Sequence, residues 1–437
     1  MIFNKIFLNA ITINIFSILL LVFLYFFQSK DFYYLPIVLS MLNFYYIFFN
    51  DLFKNGILYI SKLFITFLFT YGFFGALIFN INSFLDLLIN FLNIDSSFFN
   101  SHNLFVYNLI IIISIIPANY LLSKKFESNI LENRKPNSLY LSLGKLTEIL
   151  LVLYIIFLSY LLYKTGGKYI WFSDLRNKEE LFTMMAWISV LLSGLVPYAY
   201  RYFNIKQKKL FYIYIIVIIL LFGILKIRMF SALFIFLLLI NLNLRGFIFK
   251  KLHFMYILFG IVFLLISNIF RFNDFSFEQT YIVLFSMLGE FIMPNISTFY
   301  LINNPLHFDS LFAIQDLYFQ LLPSSVRPSS ELYAFRDYYL SRSIDPWPIG
   351  GIYFLGQFYF YFGIFYIFIL IGLIKYLIEI QNILINRKFS LLLLLFPMLV
   401  MILPRMELWT LRNSIFSMVF FIITFLLIKI ISTKRNK

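Results

Sequence analysis

Apolar runs about as long as a bilayer-spanning helix alternate with short polar or basic stretches along nearly the whole chain. The first, MIFNKIFLNAITINIFSILLLVFLYFF at 1–27, has one lysine before the apolar residues and no small-residue cleavage site after them. It therefore reads as an uncleaved first span. Further spans are predicted at 32–50, 57–79, 102–122, 141–163, 181–203, 210–225, 229–245 and 252–270, and then at 350–374, 389–403 and 412–431. Twelve spans result, nine in region 1–270 and three in region 350–437. Only Lys226-Ile227-Arg228 separates 210–225 from 229–245, so one long broken helix is the competing reading. That reading inverts everything downstream.

Charge settles the orientation. With the N-terminus inside, the even-numbered connections hold Lys54; Lys124, Lys125, Arg134 and Lys135; Arg201, Lys206, Lys208 and Lys209; Arg245, Lys250 and Lys251; and Lys375, Arg387 and Lys388. The C-terminal tail adds Lys429, Lys434, Arg435 and Lys437, whereas 80–101 carries Asp86 and Asp95 with no Lys or Arg. Basic connections stay cytoplasmic. Twelve spans with both termini inside fit these clusters, and the two-helix reading prevails.

Composition narrows the class. The chain is 62% hydrophobic and only 13% charged, about half the charge of a soluble domain, which predicts an all-α polytopic membrane protein. The net charge of +15 lies in short clusters between apolar runs, so it suits anionic membrane lipids and not nucleic acid. There is no Cys and only His102, His253 and His307, so thiol chemistry is excluded and no metal-site spacing exists. No cofactor is expected.

One region breaks the rhythm. Residues 271–349 mix polar, aromatic and Pro-rich sequence, far too long for a helix connector, yet rich enough in Tyr, Phe and Trp to be ordered. The expectation is an extracytoplasmic loop with re-entrant or interfacial helices and an active-site role.

The charges that defy positive-inside sorting point to the chemistry. Five of 22 Lys fall outside on this topology, against eight of 13 Arg: Arg176, Arg228, Arg271, Arg327, Arg336, Arg342, Arg405 and Arg412. Sorting treats both residues alike. A need for planar, bidentate binding of phosphate or carboxylate does not. If a helix begins at Pro404, then Arg405, Trp409 and Arg412 share one face, with the two Arg stems about 10 Å apart along the axis. Two cations flanking an indole can clamp a diphosphate and stack on a sugar. Equally, they can snorkel to headgroups within an aromatic belt.

Glu290 is the acidic candidate. It is the lone charge in YIVLFSMLGEFIMPNISTFYLI, where partial desolvation raises a carboxyl toward the range of a general base. The competing role is a structural partner for an outer Arg. In SSVRPSSELYAFRDYYLSRSIDPW a helix is predicted after Ser329 and Ser330, bringing Arg336 and Arg342 near Tyr338 and Tyr339. Aromatic faces and carboxylates suit a sugar site. His307 is a substrate-binding candidate, with a structural role as the alternative.

The tandem spans with Arg at the turn (KIRMFSALFIFLLL), NIFRF, LGEFIMP, the large late loop and GGIYFLGQFYFYFGIFYIFILIGL together resemble the Wzy-type oligosaccharide repeat-unit polymerases. The resemblance lies in the layout of the whole chain. It implies a glycosyltransferase that polymerises polyprenyl-diphosphate-linked repeat units of O-antigen, capsule or exopolysaccharide on the outer face of the bacterial plasma membrane. It also implies a chain-length regulator protein as partner. By this analogy Arg228, Arg271, Arg405 and Arg412 hold diphosphate; the loop residues Arg327, Arg336 and Arg342 are separate substrate-binding candidates. Donor and acceptor are both lipid-linked glycans. Glu290, or else Asp337 or Asp309, deprotonates the acceptor hydroxyl, and the absence of Asp-x-Asp suits a metal-independent transfer. An O-antigen ligase shares these features. A flippase or exporter of lipid-linked oligosaccharide also needs a cationic cavity, although the chain lacks the similar halves common in transporters.

Overall fold

The computed structural model describes residues 5–55, 59–83, 99–126, 138–164, 208–225, 228–244, 294–299 and 353–386, and isolated positions at 85–89, 185–199, 396 and 399. Its helices are α1 (Lys5–Phe26), α2 (Tyr34–Asn55), α3 (Ile60–Asn80), α4 (Ser101–Ser123), α5 (Ser138–Lys164), α6 (Lys208–Ile224), α7 (Arg228–Leu244), α8 (Phe354–Phe362) and α9 (Tyr366–Ile385). No strand occurs among the described residues. Six stretches among them are long and apolar enough to cross a membrane: Lys5–Phe26, Lys30–Lys54, Ile60–Asn80, Ser101–Ser123, Leu143–Lys164 and Gly363–Ile385. The chain is an all-α, membrane-embedded protein.

The side-chain pattern of α1 shows why. Its buried stripe is Phe7, Ala10, Asn14, Ser17, Leu21 and Leu24, while Phe16, Leu19 and Phe23 are more than half exposed. Water would penalise such a face heavily; lipid does not. Without a hydrophobic drive between helices, small and polar residues mediate the packing. Ala10, Asn14 and Ser17 fit that rule.

The tandem pair is two helices. α6 ends at Ile224 and α7 begins at Arg228, and they pack through Phe222 against Phe230 and Phe234, with ring centroids 5.4 and 5.9 Å apart. The span expected at 350–374 differs. The helix stops at Gly363, whose φ of 51° lies in the left-handed region that glycine adopts without a Cβ penalty. A 3-10 turn follows, and α9 then runs unbroken to Ile385. Lys375, expected in a connection, is instead an exposed residue within α9, four residues before Glu379. The apolar periodicity simply continues past both charges.

The chain divides into two compact units. The first contains α1–α4, 294–299 and 353–379; here α1 packs on α2 and α4, α2 on α3 and α4, and α3 on α4. Opposite ends of the α3–α4 pair are fastened differently. At the start of α3, the buried Lys62 Nζ donates to Asp51 Oδ2 and to the Leu122 carbonyl, 2.7 Å each, and lies 5.2 Å from the Tyr59 ring centroid. Burial, then the charge of Asp51, pushes the Tyr59 phenol above its ordinary value. At the far end, Asn80 and Asn108 exchange amide hydrogen bonds of 2.9 and 3.0 Å. The second unit contains α5, α6 and α7, where Tyr154 packs against Phe222 and Phe234 and hydrogen-bonds Ser189 at 2.6 Å.

Candidate functional site

The polar core of the first unit forms around residues 294–299, which are helical and buried at every position. The Asn295 amide donates to the Tyr71 carbonyl at 2.7 Å, and its Oδ1 accepts from the Tyr107 hydroxyl at 2.6 Å. Tyr71 and its neighbours Gly72 and Gly75 precede the end of α3 by five to nine residues. The stretch therefore sits roughly 8–14 Å inside that helix end.

Glycines make the approach possible. A Cβ on Gly75 meets Asn295 and the Tyr107 hydroxyl, and one on Gly72 meets the Tyr353 ring. One on Gly356 meets Thr298. Small residues at these positions let the segments touch backbone to side chain. The Thr298 hydroxyl donates to the Pro294 carbonyl at 2.8 Å and accepts the Tyr353 N–H at 3.1 Å. That N–H also reaches the Pro294 carbonyl at 3.1 Å, so the entry to α8 is tied to the 294–299 stretch. Phe299 stacks on Phe99 at 4.7 Å and meets Phe79 edge-on at 5.4 Å.

More hydroxyls line the same unit. Tyr366 donates to the Ile110 carbonyl and contacts the Ser114 hydroxyl, both at 3.0 Å, and Tyr45 meets Thr70 at 2.7 Å. Gln357, 1% exposed, has no hydrogen-bond partner for either amide atom. Buried polar groups within a membrane bundle are costly, so they mark either a structural knot or a site. The arrangement is rich in neutral donors and acceptors, the chemistry that meets hydroxyl groups. Among the described residues, no group of three or more His, Cys, Asp or Glu can hold a metal.

Of the residues singled out from sequence, Arg228 is the first residue of α7, and its side chain is not among those described. Glu290, Arg271, Arg405, Arg412, Arg327, Arg336, Arg342, Tyr338, Tyr339, Trp409 and His307 lie outside the described residues. What the structure adds is a set that charge-based reading passed over: Tyr107, Asn295, Thr298, Tyr353 and the glycines facing them. Part of their signal was present as polar residues beside or inside apolar runs, Tyr107 in YNLIIII and Asn295 after MP.

No protein-family model matches this chain, and no curated protein or solved structure matches it.

Proposed function

We propose that this protein is a polyprenyl-diphosphate-dependent glycosyltransferase, an oligosaccharide repeat-unit polymerase of the bacterial plasma membrane. The reading carries twelve spans, cytoplasmic termini and an extracytoplasmic loop at 271–349. One observation carries it furthest: eight of 13 arginines, against five of 22 lysines, fall on the outer side of the charge-derived topology. Arginine's planar fork suits a diphosphate; membrane sorting alone has no preference for it.

The buried stretch at 294–299 supports the reading. It stands four residues after Glu290 in sequence and is anchored to α3 and α4 by Asn295. An anchored, partly desolvated segment is a suitable mount for a general base, because catalytic groups must be held in place by packed neighbours. In the reaction, Glu290 takes the proton from the acceptor sugar hydroxyl as that oxygen attacks the anomeric carbon of the donor. The polyprenyl diphosphate leaves with the bonding electron pair, and Arg228, Arg271, Arg405 and Arg412 neutralise it. The loop arginines Arg327, Arg336 and Arg342, with Tyr338, Tyr339, Trp409 and His307, hold the glycan.

The test is the glycan profile of a deletion strain, complemented with wild type and with Glu290→Gln. A single repeat unit on the final acceptor in the deletion strain, restored to polymer by wild type but not by Glu290→Gln, is the expected result. Complete loss of attached glycan identifies a ligase instead. Accumulated cytoplasmic lipid-linked intermediate identifies a flippase.

A further inference from the structure

The seam between α1, α2 and α4 contains three polar side chains that the protein leaves unanswered. Asn14 on α1, Ser40 on α2 and Asn119 on α4 are each 0% exposed. Both amide atoms of Asn14, both of Asn119 and the Ser40 hydroxyl oxygen lack any hydrogen-bond partner in the protein. Elsewhere in the unit Asn80 pairs with Asn108 and Asn295 with Tyr107, whereas Gln357 is also left unpartnered.

Helical spacing places all three on one seam. Ser40 is two turns beyond Tyr33, whose hydroxyl meets Ser101 of α4 at 2.9 Å, and three residues before Asn43, whose amide donates to the Ala10 carbonyl of α1 at 3.3 Å. Ser40 thus stands between the side of α2 that meets α1 and the side that meets α4. Asn119 is 18 residues, five full turns, beyond Ser101, and so lies on the same face of α4. Asn14 is one turn from Ala10 and two from Phe7, whose ring packs edge-on against Tyr120 of α4 at 5.5 Å. It belongs to the α1 stripe that packs on α2 and α4.

Antiparallel pairing of Phe7 with Tyr120 sets Asn119 opposite residue 8 of α1. Asn14 is six residues farther along, about 9 Å. Pairing of Asn43 with Ala10 sets Ser40 opposite residue 13, next to Asn14. The small residues Ala10 and Ala118 occupy the intervening length.

We propose that this seam is a hydration site, holding a short file of bound water molecules between Asn14 with Ser40 at one level and Asn119 at the other. Two amides and a hydroxyl supply donors and acceptors of both kinds, which suits water, and no carboxylate is needed. Leaving such groups dry inside a membrane costs far more than immobilising a water that makes about three hydrogen bonds to them. This inference is independent of the enzymatic reading.

Its test uses the purified full-length protein. Asn14→Leu, Ser40→Ala and Asn119→Leu each lower the thermal midpoint by several degrees if waters bridge these groups, because the bridges are lost. In a dry seam the same changes remove unsatisfied polar atoms and raise the midpoint, which overturns the proposal. A wild-type midpoint that differs between sodium and potassium at equal ionic strength, with the difference lost in the variants, means a cation site and also overturns it. Should the variants not fold, a high-resolution cryo-electron microscopy map decides. Compact density within hydrogen-bonding reach of the Asn14 amide supports the proposal; a seam without density there overturns it.

Discussion

The Tyr107 hydroxyl donates to Asn295 Oδ1 across 2.6 Å, joining residues 188 positions apart in sequence. The other end of the Asn295 amide donates to Tyr71 of α3, so one side chain ties α3 and α4 to the stretch at 294–299. Removing the two partners has unequal consequences. Tyr107→Phe deletes one hydrogen bond and leaves the ring in place against Phe79 and Phe299, costing about 1–2 kcal/mol. Asn295→Leu deletes both bonds, strands the Tyr107 hydroxyl in an apolar site and forces a branched side chain against Gly75, costing roughly 3 kcal/mol or more. Thermal unfolding in detergent should rank Asn295→Leu below Tyr107→Phe and both below wild type.

Glycines offer an internal contrast. A Cβ on Gly75 or Gly356 collides with Asn295 or Thr298, whose positions are fixed by hydrogen bonds and which cannot swing away cheaply. A Cβ on Gly372 meets nothing within 4 Å. Alanine is worth up to about 1 kcal/mol over glycine inside a helix. Gly372→Ala should therefore leave the thermal midpoint unchanged or raised, while Gly75→Ala and Gly356→Ala lower it and reduce membrane abundance. Equal behaviour of all three would show that the close approach at 294–299 is not tight.

The Lys62–Asp51 pair makes a directional prediction. The Lys62 side chain is 2% exposed and that of Asp51 15%, so the cation is the less hydrated partner. Removing Asp51 takes the counter-charge from a deeply buried ammonium; removing Lys62 leaves a carboxylate that still touches solvent. Breaking a buried pair costs about 3–5 kcal/mol, and replacing both partners by apolar residues costs much less. The expected order of thermal stability is wild type, the double variant Asp51→Leu with Lys62→Met, Lys62→Met alone, and then Asp51→Leu alone. Lys62→Met carries a further loss at α4, since the ammonium also satisfies the Leu122 carbonyl near that helix end.

Much of the architecture was legible in apolar run lengths. The spans at 102–122 and 141–163 appear as α4 and α5 within a few residues, and the basic turn at 226–228 does separate two helices. The failure at 350–374 has a local cause: Gly363 looks like any glycine in an apolar run until its left-handed φ is seen. Charges also misled. Lys375 and Glu379 resemble a connection in sequence, yet they lie on one exposed face of α9, and a helix long enough carries such a pair without breaking. The knot of Asn295, Tyr107 and Tyr71 was beyond sequence reading for a different reason. It joins segments more than 180 residues apart, and no periodicity encodes which apolar run its amide will meet.

The arginines of the last stretch give the sharpest test of function. If Arg405 and Arg412 snorkel to headgroups, lysine serves equally, because either side chain delivers a cation to the interface. If they grip a diphosphate through paired N–H donors, lysine keeps the charge and loses the fork. A charge-assisted hydrogen bond is worth roughly 1.5–3 kcal/mol, so one lost in the transition state slows turnover on the order of tenfold or more. Arg405→Lys and Arg412→Lys should therefore each shorten or abolish the polymer at unchanged protein abundance. Arg412→Lys should be the more severe, since Arg412 lies within the apolar run and Arg405 at its margin. Arg435→Lys, in the basic C-terminal tail, should leave chain length as it is. Normal polymer from both Arg405→Lys and Arg412→Lys would return these residues to a headgroup role and remove the diphosphate clamp from the mechanism.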